Sequence, residues 1–168
     1  MITITEEPYD GPVARALVQE LLEDLNERYA EADAEDPEAP EDDDYLAEVT
    51  PALVRAPKGA FLVAWLDGEP AGCGAVKPLD SDGSKGEIKR MYTVASARRR
   101  GISRALLAAL EARAAELGYR YLQLETGLAQ PEAMALYETH GWHRITPYGH
   151  YKHSPQSVCF AKPIGPPP

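Results

Sequence analysis

The chain has 168 residues, 44% of them apolar and 26% charged, with a formal net charge of −10. That length allows one domain with a sizeable core, and the composition is that of a soluble globular protein. No apolar run approaches the roughly 20 residues of a membrane-spanning helix, two cysteines cannot make a disulfide framework, and basic charge is not clustered as nucleic-acid binding requires.

The opening Met-Ile-Thr-Ile-Thr-Glu-Glu lacks the basic flank and apolar stretch of a signal peptide and reads as a strand over residues 2–5. A reducing, cytoplasmic setting is the expectation. Leu17, Leu21 and Leu25, widened by Val18 and Leu22, predict a helix over 13–29 with one buried face. Residues 31–44 then carry nine acids and no base, and removing those nine brings the formal charge from −10 to −1. Acidity is therefore local. With Pro37 and Pro40 inside it, the segment predicts a mobile loop. A short helix is expected near 45–54.

Residues 61–66 and 71–76, separated by Asp67-Gly68, form a predicted hairpin. A strand over 86–94 leads directly into Arg98-Arg99-Arg100-Gly101-Ile102-Ser103 and a helix over 103–117 that Gly118 ends. A strand at 121–125, a helix at 131–140 opened by Pro131, and closing strands at 142–145 and 157–161 complete the order. One domain is expected over 1–163, with a proline-rich tail over 164–168.

A strand that turns at a glycine into a helix makes an anion site, because the first helical N–H groups have no backbone partner and the helix dipole adds positive charge. Gly101 lets the backbone approach a phosphate, and Arg98, Arg99 and Arg100 add charge around it. No Gly-Lys-Ser/Thr ending makes it a Walker loop, and it lacks the three glycines of the dinucleotide fingerprint. The turn resembles the R/Q-x-x-G-x-G/A turn of the GNAT superfamily of N-acetyltransferases, with Arg98, Gly101 and Ser103 at its defined positions. A second segment, from Gln130 through Ala133, Leu136 and Tyr137 to Gly141-Trp142, is similar to that family's N-x-x-A-x-x-L-Y-x-x-x-G-F/W segment. The two lie in the family's order and spacing across residues 60–162.

The resemblance implies an α/β (α+β) fold with a mixed, mostly antiparallel central sheet flanked by helices. It implies direct transfer of an acetyl group from acetyl-CoA to an amine of a small molecule or protein. The coenzyme would lie on Met91, Tyr92, Thr93 and Val94, on the turn from Arg98 through Ile102 to Ser103, and on Gln130, with the Met91 N–H facing the developing oxyanion. Tyr137 corresponds to the general acid; its phenol, with a pKa near ~10, can protonate a departing thiolate. Glu87 stands eleven residues before Arg98, where one branch of the family carries its base. It could equally be a strand glutamate paired with Lys85 or Lys89.

His140 and His143, like His150 and His153, offer no convincing zinc set, so no metal is expected. Lys89 and Arg90, on the acceptor side of their strand, would favour a substrate bearing a carboxylate, whereas the acids of 31–44 would favour a cationic one. No nucleic acid or membrane is expected as a partner; a homodimer is admitted. The competing reading is a non-catalytic acyl-CoA-binding or partner-binding module with an acidic docking loop.

Overall fold

Residues 1–39 and 41–166 are described by the computed structural model of the chain. Seven strands, β1 (Ile2–Glu6), β2 (Ala60–Leu66), β3 (Glu69–Pro78), β4 (Lys85–Thr93), β5 (Tyr121–Gly127), β6 (His143–Ile145) and β7 (Ser157–Pro163), form one sheet in the order β1-β2-β3-β4-β5-β7-β6. Only β4 and β5 are parallel, as α3 (Ile102–Glu116) between them requires; every other pair is antiparallel. The expected mixed, mostly antiparallel sheet is therefore present. Asp67 (φ 51°) and Gly68 (φ 87°) turn the β2–β3 hairpin, both in the left-handed region that a tight two-residue reversal demands.

Alternation along β2 assigns the two faces. Ala60, Leu62 and Ala64 join Leu106, Leu107 and Leu110 of α3 in one core, and Phe61 and Val63 join Leu17 and Val18 of α1 (Pro12–Glu35) in the other. Both strand faces are covered, so the predicted continuous apolar run of β2 is explained. The short helix α4 (Pro131–Thr139) packs with α3 on the first face.

Two expectations change in the acidic segment. Residues 31–35 are the last turns of α1, not loop, because Ala30, Glu31, Ala32, Ala34 and Glu35 mostly have good helix propensity. The helix stops at Asp36, which is extended (φ −107°) because Pro37 follows it. Asp42, Asp43 and Asp44 open α2 (Asp42–Ala47), placing carboxylates at the positive end of the helix dipole. The helix expected near 45–54 is thus split into α2 and a 3-10 turn at Pro51–Val54. Pro40 and the last two prolines of the tail lie outside the described residues.

Candidate active site

The site begins with a fault in the sheet. Lys89 pairs with Ala75 and Tyr92 with Cys73, so Arg90 and Met91 together oppose Gly74 in a β-bulge, with Arg90 at φ 62°. A bulge bends its strand and increases the local twist. From that point β4 leaves β5: pairing runs from Lys85–Tyr121 to Ile88–Leu124 and stops there, while β5 stays paired with β7 along its whole length. The gap opens into a cleft of about 1190 Å³, walled by Met91, Tyr92 and Thr93 on one side and by Glu125 and Thr126 on the other.

At one end of the cleft lies the arginine turn. Gly101, at φ 84°, is in a region where a Cβ is strained, and no side chain caps the N-terminus of α3. Its first-turn donors therefore remain available to an anion. Arg98, Arg99, Gly101, Ile102 and Ser103 all line the cleft; Arg100 and Val94 do not. Arg98 is already engaged: its Nε donates to the Thr93 carbonyl at 3.2 Å and its Nη2 to Asp24 Oδ1 at 3.0 Å.

Asp24 belongs to a bridge over the cleft that the sequence reading did not anticipate. Arg28 donates to Asp24 at 2.8 Å and to the Ala129 carbonyl at 3.0 Å, and it also pairs with Glu132. Tyr29 donates to Gln130 Oε1 at 2.9 Å. The second half of α1, which contains no buried residue, is thereby tied to the arginine turn and to the start of α4. Asp24 and Arg28 stand four apart on the polar side of α1, which was the available signal.

Tyr137 lines the cleft from α4 with its ring 4% exposed, 5.8 Å from Trp142 and 5.7 Å from Phe160. Burial pushes its phenol well above the ordinary value, so it keeps its proton at any ordinary pH. Glu87 lies elsewhere. It is 5% exposed, does not line the cleft, accepts from Tyr148 Oη at 2.6 Å, and pairs with Lys77 at 3.3 Å and Lys89 at 3.7 Å.

Among the carboxylates that line the cleft, Glu125 is the one carried by the sheet, on β5. Burial raises its pKa; the Ser157 hydroxyl, 3.0 Å away, and Lys89 oppose that, while Glu48 and Glu87 add to it. Its signal in the sequence was alternation: Leu122 and Leu124 enter the core, so Gln123 and Glu125 face the other way. Among the described residues no group of three or more His, Cys, Asp or Glu side chains is placed to hold a metal ion. Cys73 is fully buried and its thiol is pushed up to about 12 by burial, which removes it as a nucleophile.

Residues 16–142 match the Acetyltransferase (GNAT) family. The chain belongs to that family. It is 37% identical over 131 residues to an IAA acetyltransferase of Azospirillum brasilense, a match covering 73% of this chain and 85% of that one. A Klebsiella pneumoniae structure described as an acyl-CoA N-acyltransferase superposes with a TM-score of 0.76 at 30% identity, covering 98% and 99% of the two chains. A GNAT acetyltransferase from Elizabethkingia anophelis with acetyl-CoA bound shares the fold, with a TM-score of 0.66 at 20% identity over 97% and 98% of the chains. The protein is accordingly an acyltransferase of the GNAT type, a family that moves an acetyl group from acetyl-CoA to an amine. The opened strands and the uncapped turn of α3 suit that coenzyme's two parts: free strand edges for its amides and helix N–H groups for its pyrophosphate.

Proposed function

We propose that residues 1–163 act as one acetyltransferase unit that binds coenzyme and amine together in the cleft between β4 and β5 and transfers the acetyl group directly. The observation that carries this reading is that Glu125 and Tyr137 both line the cleft that opens where the two strands part. Bound acetyl-CoA supplies an acetyl group activated as a thioester. Arg98, Arg99 and the backbone from Gly101 to Ser103 hold its pyrophosphate, Met91 to Thr93 hold its amides along the free edge of β4, and Gln130, steadied by Tyr29, flanks it.

Glu125 takes the proton from the incoming ammonium, because a desolvated carboxylate is a stronger base than an exposed one. The Met91 N–H stabilises negative charge as it grows on the carbonyl oxygen. The Tyr137 hydroxyl delivers a proton to the departing sulfur. Glu87 acts from behind this set, neutralising Lys77 and Lys89. The two cysteines support direct transfer: both are buried with raised pKa values, so neither is poised to accept the acetyl group.

Initial rates at varied acetyl-CoA and amine should therefore give intersecting lines, with no acetylated protein detectable by mass spectrometry. Parallel lines with a covalent acetyl adduct would replace direct transfer by a two-step route.

A further inference from the structure

One charge on β4 is left without a counter-ion. Arg90 is 3% exposed and lines the cleft, yet none of the ion pairs among the described residues includes it. Its partners are all neutral. Nε donates to Tyr9 Oη at 3.1 Å, Nη2 donates to the Tyr45 and Leu46 carbonyls at 2.9 and 3.4 Å, and the guanidinium lies 4.1 Å from the centre of the Tyr45 ring. Nη1 is buried with no acceptor. The neighbouring Lys89 shows what a satisfied cation looks like here, with Glu48 at 2.8 Å and Glu87 at 3.7 Å.

Burying a guanidinium without an anion is strongly unfavourable, and a donor left unmade adds to that. Anchoring α2 explains Nη2 and the ring contact, but not the empty Nη1 or the missing anion. The residue also holds a left-handed φ in the bulge, which favours glycine. Arg90 immediately precedes Met91, so its backbone stands about 3.8 Å from that of the proposed oxyanion donor. Arg90 and Met91 both line the cleft, so an anion at Arg90 would share it with the reacting groups.

We propose that the acceptor is an amine that also carries a carboxylate, and that Arg90 binds this carboxylate through Nη1. The inference rests on the acetyltransferase reading and names its substrate class. A planar guanidinium edge fits a carboxylate in charge and geometry. The rest of the cleft suits the other end of such a molecule, since Asp42 and Glu125 line it and neither is in an ion pair among the described residues. A polyamine would satisfy those acids and leave Arg90 unpaired; an amine without charge elsewhere would do the same. Helix α2, whose Tyr45 and Leu46 carbonyls cover the guanidinium, has no buried residue, and binding requires it to shift outward so that Nη1 meets the ligand.

The test uses the common α-amino acids, β-alanine and γ-aminobutyrate, each beside its primary amide, with spermidine and a lysine peptide as further acceptors. Thiol release from acetyl-CoA is read as kcat/KM. At least one amino acid should exceed its own amide by about 10- to 100-fold, the range of a hydrogen bond to a charged group. Arg90→Gln should bring that ratio below about threefold, whereas Tyr45→Leu, which removes the stacking ring and leaves the charge, should keep it. If Arg90 only anchors α2, acid and amide fall together in Arg90→Gln and the ratio survives, which overturns the proposal. Should Arg90→Gln fail to fold, the wild-type protein decides: the deaminated acid must compete with the acceptor and its amide must not. Equal use of acid and amide, or preference for spermidine or the peptide, rejects the carboxylate and leaves the acetyltransferase reading standing. No thiol release with any amine rejects that reading itself.

Discussion

Tyr137→Phe is expected to lower kcat by about 10²- to 10⁴-fold, the usual contribution of a positioned general acid. Acetyl-CoA affinity should change little, because protonation of the sulfur belongs to the transition state and not to ground-state binding. Stability should also survive. The ring keeps its contacts with Trp142 and Phe160, and the hydroxyl makes no hydrogen bond among the described residues that its loss would break. A steady-state kcat beside a melting curve separates the two effects. An unchanged kcat would make Tyr137 a core side chain with no part in transfer.

Glu125→Gln is the second large effect: kcat/KM for the amine should fall by about 10²- to 10⁴-fold at neutral pH. In the wild type the acidic limb of the pH profile should lie above the ordinary carboxylate range, since burial raises the Glu125 pKa, and it should vanish in the variant. No basic limb from Tyr137 should appear below about pH 10, as its phenol is pushed upward. The stability effect has a definite sign. A carboxyl whose folded pKa is raised contributes stability below its unfolded pKa and loses it as pH rises through the folded value. Glu125→Gln should therefore melt higher than wild type at pH 7, with the difference closing near pH 4.

Glu87→Gln should behave in the opposite way. Removing that carboxylate leaves Lys77 without its ion pair and Lys89 with Glu48 alone, so the protein should melt lower, with a smaller loss of kcat than Glu125→Gln. If Glu87→Gln were the slower enzyme of the two, the base would be Glu87 or a group acting through it.

The order of strands and helices was readable because alternation on β2 and the four-residue repeat of Leu17, Leu21 and Leu25 are local patterns. The arginine turn was readable too, since Gly101 marks a backbone conformation and the residues around it carry the chemistry. The parting of β4 from β5 was expected only through the family resemblance, not from the residues themselves. It depends on a bulge at Arg90 whose positive φ no side-chain preference announces, and on which strand edge finds a partner. The acidic segment misled for a related reason: carboxylates suggest solvation, yet 31–35 are mostly good helix formers and Asp42 to Asp44 suit a helix start. Glu125 went unremarked in the sequence, because it and Glu87 are both strand glutamates and only burial and partners tell them apart. Arg90 shows how far sequence goes: its place on β4 was legible, but its lack of a counter-ion was not.

The central claim is that this cleft moves an acetyl group from acetyl-CoA to an amine. Its most direct measurement is free thiol released from acetyl-CoA by the purified chain, with and without a panel of amines, alongside mass analysis of those amines. Release should depend on the amine, with one acetylated amine per thiol, and both should be lost in Tyr137→Phe. A chain that is stabilised by acetyl-CoA yet releases no thiol with any amine would contradict it, and would leave a coenzyme-binding module in its place.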